Sequence, residues 1–87
     1  MLQVKRLVLD VLKPHTPGVL EFAGAIARKG EDYKVEVNVL EMDDKTETLE
    51  VAVEGSNVQL ETIVEAIHEL GGSLHSVDGV FITNSKD

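Results

Sequence analysis

Residues 34–54 read K-V-E-V-N-V-L-E-M-D-D-K-T-E-T-L-E-V-A-V-E. Val35, Val37 and Val39 recur at every second position. After Asp43-Asp44-Lys45 the same period returns in Leu49, Val51 and Val53. A two-residue period places these side chains on one face of a strand, and a helix cannot satisfy it. Two such runs separated by a short polar turn predict a β-hairpin over Lys34–Met42 and Glu47–Glu54.

The flanks supply the other elements. Upstream, Lys5 to Lys13 alternates, with Leu7, Leu9 and Val11 on one side and Arg6, Val8, Asp10 and Leu12 on the other. Between this strand and the hairpin, Val19, Phe22, Ala23 and Ile26 follow helical spacing. Thr16 is the expected N-cap of this helix, Pro17 its first residue and Gly30 its stop. Downstream, Ser56 and Gln59 match a capping box. Leu60, Ile63, Val64, Ile67 and Leu70 form an apolar stripe, and Gly71-Gly72 ends the helix. A last strand spans about Ser73 to Thr83, with Gly79 marking a bulge or bend.

The order is strand, helix, strand, strand, helix, strand. Each helix is a crossover between parallel strands, and crossovers are right-handed, so the two units interleave. The expected architecture is an α+β, ferredoxin-like βαββαβ sandwich. Its four-stranded antiparallel sheet has the order 4-1-3-2, with both helices on one face. Residues 1–83 form the single domain, and residues 84–87 a frayed polar tail.

Size and charge set limits. A chain of 87 residues buries about 63% of its unfolded surface, enough for one core. Sixteen acidic residues face eight Lys and Arg, for a net charge of −8. Nucleic-acid affinity rests on neutralising phosphates, so this balance argues against it. Three scattered aromatics, Phe22, Tyr33 and Phe81, are too few to stack bases. With no cysteine there are no disulfides, thiolate metal sites or thiol nucleophiles. No apolar run approaches a membrane span, and Met1 to Lys13 does not read as a signal peptide. The expected location is the cytoplasm, without membrane partners.

The face turned away from the helices should carry Arg6, Val8, Asp10, Leu12, Glu36, Asn38, Leu40, Met42, Thr48, Glu50, Ala52 and Glu54. A solvated face alternates cleanly to polar. Val8, Leu12, Leu40 and Met42 break that rule and point to shielding by other copies of the chain. Asp10 and Glu50 fall on adjacent central strands and need a cation, a proton or Arg6 to relieve their repulsion.

The topology also gathers one end of the sheet. Lys13, His15, His75, Ser76 and Asp78 converge there with the hairpin tip at Asp43 and Asp44. Asp10, Lys13, His15, His75, Ser76 and Asp78 are the candidate ligand-binding residues, for a small metabolite or a divalent cation. Asp10, Asp43, Asp44 and Asp78 are the candidate metal ligands, and such oxygen donors suit calcium or magnesium better than zinc. The competing reading is that these residues cap helices and tie loops. Glu65 and His68 have the spacing of a carboxylate-bundle metal pair, but Glu61, Glu65 and Glu69 read more simply as a solvated acidic stripe. There is no phosphate loop, G-x-S-x-G or H-E-x-x-H. The expected function is a non-enzymatic homo-oligomeric binding module. The alternatives are a structural ring subunit, or a small-molecule enzyme with His15 or His75 as general base.

Two stretches, L-D-V-L-K-P-H-T-P (Leu9 to Pro17) and G-G-S-L-H-S-V-D-G-V (Gly71 to Val80), together with the element order, make the chain similar to the archaeal domain of unknown function 211. That resemblance implies a ferredoxin-like fold, an archaeal source, a ring-like or higher homo-oligomer and bound calcium. It implies no activity. The positions it carries over are Asp10, Lys13, Pro14, His15, Pro17, His75, Ser76 and Asp78.

Overall fold

The structure, a computed structural model, describes residues 1–85. Its elements are β1 (Leu2–Pro14), α1 (Val19–Ala27), β2 (Lys34–Met42), β3 (Thr46–Glu54), α2 (Leu60–Glu69) and β4 (Ser73–Asn84). The sheet order is β2-β3-β1-β4, with every neighbour antiparallel. Read from the other edge this is 4-1-3-2, the ferredoxin-like α+β fold. β4 runs through Asn84, paired with Leu2, and the Ser85 N–H donates to the Met1 carbonyl. Of the expected tail, Lys86 and Asp87 lie outside the described residues.

The two-residue period of β1 and β3 organises the core. Leu7, Leu9 and Val11 stand beside Val53, Val51 and Leu49 across the ladder. All six are buried with Phe22 and Ile26 of α1 and Ile63, Ala66 and Ile67 of α2, so both helices lie on one face. Val35 and Val37 of β2 pack at the margin. Burying side chains of this size contributes roughly 1.5–3 kcal/mol each.

The helices are much shorter than the strands. Nine and ten residues of helix extend about 14–15 Å. The thirteen residues of β1 extend about 43 Å. The molecule measures 49 × 22 × 17 Å, and the helices cover the middle of the sheet while its ends protrude.

Both helix starts differ from the sequence reading. Gly18, not Thr16, is the N-cap of α1, and Phe22 N–H donates to its carbonyl at 3.0 Å. Pro17 lies outside the helix because its carbonyl is taken by the Lys13 ammonium at 2.8 Å. The Thr16–Pro17 peptide is cis. In α2 the N-cap is Gln59, and its N–H donates to the Tyr33 hydroxyl at 2.7 Å. Ser56 forms no capping box. Its N–H donates to Asp32 Oδ2 and its carbonyl accepts from Lys5 Nζ. The far end of α2 is as expected. Gly71 has φ +85°, Gly71 N–H donates to the His68 carbonyl, and Gly72 N–H to that of Ile67 at 2.9 Å. This Schellman arrangement needs a left-handed residue.

Single-residue bulges redistribute the outer side chains. β4 carries two against β1: the register slips between Leu74 and Ser76, at His75, and between Val77 and Gly79, at Asp78. The second sits beside the glycine that marked it. β2 carries one at Leu40. Beyond it Met42 pairs with Glu47, in the row of Leu49, Val51 and Val53. Met42 therefore leaves the uncovered face on which simple alternation placed it. Phe81 joins that face, opposite Arg6.

Replacing Leu9, fully buried, by Ala is expected to cost about 2–5 kcal/mol in urea unfolding. Leu20→Ala on the exposed side of α1 should stay within about 0.5 kcal/mol. Gly71→Ala should cost about 1 kcal/mol, because a Cβ disfavours its positive φ.

Candidate functional site

Lys13 continues the row of Leu7, Leu9 and Val11, so β1 carries its ammonium to the end of the core. The side chain is fully buried. Directly across the ladder stands Glu47, which continues the row of Leu49, Val51 and Val53. Lys13 Nζ lies 2.9 Å from Glu47 Oε1. It also donates to the carbonyls of Pro14 at 2.9 Å and Pro17 at 2.8 Å and stands 6.0 Å over the Phe22 ring. Two carbonyls and one carboxylate oxygen thus surround the buried ammonium. The β1–α1 loop is thereby tied to the strand it leaves.

His15 completes the cluster. Nδ1 is 3.0 Å from Glu47 Oε2. Nε2 is 2.9 Å from the Asp43 carbonyl and 3.2 Å from that of Asp44. Both ring nitrogens face acceptors, and only an imidazolium donates from both. The hydrogen bond that His15 donates to Glu47 raises the His15 pKa above its ordinary value; partial burial opposes this, and the two carbonyls add to it. Glu47, in turn, is held below the usual carboxylate range, first by His15 and then by Lys13. A ring bound at both nitrogens is a clamp on the hairpin tip, with no nitrogen left to act as a general base.

The other predicted residues lie elsewhere. Asp43 Oδ1 accepts from the Lys45 and Thr46 N–H groups and the Thr46 hydroxyl, at 3.0–3.1 Å, which keeps its carboxyl acidic and shapes the turn. Ser76 Oγ donates to Asp78 Oδ1 at 2.7 Å across the second β4 bulge. Asp10 sits on the uncovered face, paired across the ladders with Glu50 and Ser76. It lines a hollow of about 290 Å³ with Leu12, Thr48 and His75. Arg6, the expected relief for Asp10 and Glu50, lies 3.6 Å from Glu54 instead.

The convergence read from topology thus resolves into two places. Lys13 and His15 meet at Glu47 on the helix side, where His15 also holds the hairpin backbone, and Asp10 and His75 line one hollow on the uncovered side. Among the described residues no three His, Asp or Glu side chains stand together as a metal group. The four aspartates Asp10, Asp43, Asp44 and Asp78 are therefore not gathered. Asp43 is spent on its own turn, and the sheet separates Asp10 from the tip. Glu47 and Thr48 were missed. Glu47 was legible, because it extends the core row of β3 and falls opposite Lys13 in the register that pairs Leu9 with Val51.

The strand order, paired helices and clamped strand end define a small ferredoxin-like α+β domain. The family described as uncharacterized ArCR, domain of unknown function 211, matches residues 5–85. An uncharacterized protein of Methanocaldococcus jannaschii is 39% identical over 77 residues, covering 88% of this chain and 79% of that protein. The chain belongs to this archaeal family of uncharacterized proteins.

The clamp makes stability depend on pH from both sides. The contribution of His15, whose pKa is raised, is complete below its ordinary 6.5 and is lost as pH rises through the folded value. The contribution of Glu47, whose pKa is lowered, is present above its ordinary 4.5 and is lost as pH falls through the folded value. Urea midpoints of the native chain should therefore decline above pH 6.5, and His15→Gln should flatten that decline. An unchanged alkaline slope in the variant would refute the clamp.

Proposed function

We propose that the protein is a homo-oligomeric, non-enzymatic binding module. Copies associate along β4, and a small ligand occupies the hollow beside Asp10 and His75. The observation that carries the assembly is the exposure of Val77, Val80, Phe81 and Ile82, between 40% and 59%, along one edge strand. Val77, Val80 and Ile82 lie opposite Leu9, Leu7 and Val4. They belong to the core-facing side, yet the short helices do not reach over them. An edge strand also presents an unpaired row of N–H and C=O groups.

A second copy of β4 matches both needs. Antiparallel pairing of two identical strands is two-fold symmetric, so the patch meets itself. Each strand then supplies the hydrogen-bonding edge and the apolar row that the other lacks. The bulges at His75 and Asp78 confine regular pairing to the half of β4 from Gly79 onward. A net charge of −8 per copy opposes contact, so salt should strengthen association by screening it.

Sedimentation velocity at micromolar concentration is expected to show a species larger than one chain. The half-exposed Val80 replaced by Lys should give a monomer with the urea midpoint of the dissociated native chain. A native chain that sediments as a monomer at low and high salt would overturn the assembly.

A further inference from the structure

We propose that two copies of this chain join edge to edge through β4 with Phe81 on the two-fold axis, so that each Phe81 meets its own counterpart. This rests on the assembly half of the proposed function and fixes its register. The sheet has two edges, β2 and β4. β2 carries Lys34, Glu36 and Glu41 and is bulged at Leu40. From Gly79 to Asn84, β4 reads G-V-F-I-T-N and has no charged side chain. Beyond Gly79 the extra residue of the β1–β4 ladder lies on β1, at Lys5, so this part of β4 is without an insertion. Self-pairing sets the charges of a strand close to their own copies, and like charges opposite each other are destabilising. In a chain of net charge −8, the neutral edge is therefore the one suited to meet itself. Val80, Phe81 and Ile82 all stand about half exposed on it.

Parity then selects the register. Val80 and Ile82 stand opposite Leu7 and Val4, whereas Phe81 stands opposite Arg6 on the uncovered face. Residues level across an antiparallel ladder share a face, so Phe81 cannot pair with Val80 or Ile82. The axis must therefore pass between a residue and its own copy. Inside the uninterrupted stretch, the longest overlaps centre on Phe81 or on Ile82. Centred on Ile82, the pairing sets Val80 against Asn84 and Phe81 against Thr83. Centred on Phe81, it sets Val80 against Ile82 twice, Phe81 against Phe81 and Gly79 against Thr83. Only the second gives all three apolar side chains apolar partners, and aliphatic and aromatic cross-strand pairs stabilise a sheet. Asp78, the nearest acid, then comes beside the neutral Asn84 and not beside its own copy. On the helix side, Val80 and Ile82 of both copies extend the row of Leu7 and Val4. On the other face Arg6, 3.6 Å from Glu54, flanks the Phe81 pair on each side, a polar rim around an apolar centre.

The chain has no cysteine, so Val80→Cys, Phe81→Cys and Ile82→Cys each introduce a single thiol. Residues paired on the axis lie about 4.5–5.5 Å apart at Cα, within the span of a disulfide. One position off the axis the separation is about 8 Å, beyond that span. Oxidised at a concentration where the native chain associates, Phe81→Cys is expected to run as a covalent dimer on a non-reducing gel, and the other two variants as single chains. The native chain supplies a second reading that no substitution disturbs. With isotope-labelled and unlabelled copies mixed, the strongest intermolecular NOE should join Val80 methyls to Ile82 methyls. Cross-linking of Ile82→Cys instead, with Ile82 joined to Ile82, would overturn the register and keep the β4 interface. An associated native chain with no NOE between copies at these residues would overturn both the register and pairing along β4. A native monomer at low and high salt would remove the assembly itself.

Discussion

Everything in this molecule is referred to the two-residue period of β1. That strand is hydrogen-bonded on both sides, to β3 and to β4. Its side chains therefore have two destinations only, under the helices or on the uncovered face. Leu7, Leu9 and Val11 go under the helices, and so does Lys13, because the period does not stop where the hydrophobic residues do. An ammonium carried there needs a counter-charge and acceptors. Glu47, opposite on β3, supplies the first, and the carbonyls of Pro14 and Pro17 supply the second. His15 then binds the other Glu47 oxygen and the hairpin backbone. A buried charge at the end of a core row thus fixes both the entry to α1 and the turn between β2 and β3.

The second constraint is length. A residue rises more than twice as far in a strand as in a helix, so two helices of nine and ten residues cannot roof a sheet of this length. Near the middle this costs nothing. On β4 the gap is sideways as well: Val77 and Val80 stand level with the buried Leu9 and Leu7, but the core under the helices is built on β1 and β3, and this edge strand is left open. The edge is blunted by bulges at His75 and Asp78; beyond Gly79 the extra residue lies on β1 instead, at Lys5, opposite Phe81 and Ile82. The same bulge at His75 brings the imidazole beside Asp10. One local irregularity therefore shapes both the hollow beside Asp10 and the limit of the exposed edge.

Much of this was legible in residues alone. Strand order and the shared face of the two helices followed from alternation, helical spacing and crossover handedness. The stop of α2 followed from Gly71-Gly72. The helix starts did not, because Thr16-Pro17 and Ser56 carry sound local signals that distant groups override. Lys13 takes the Pro17 carbonyl, and Asp32 takes the Ser56 N–H. Nor did the faces beyond a bulge. One inserted residue inverts the parity of all that follows, and Leu40 and His75 announce no bulge as Gly79 does. That is why Met42 was placed on the wrong face. At the site, Lys13 and His15 were found together, as were Asp10 and His75. Glu47 was passed over because a charged residue at the head of a strand reads as solvated until its partner across the ladder is considered.

The central claim is that the apolar side chains of β4 are not left in water. The native chain has no tryptophan, so Phe81→Trp places a single reporter on that strand. Its fluorescence is to be followed from high protein concentration to extreme dilution. The account predicts emission at short wavelength in the concentrated sample, moving to longer wavelength as copies separate. Emission at the wavelength of a water-exposed indole at every concentration would contradict it.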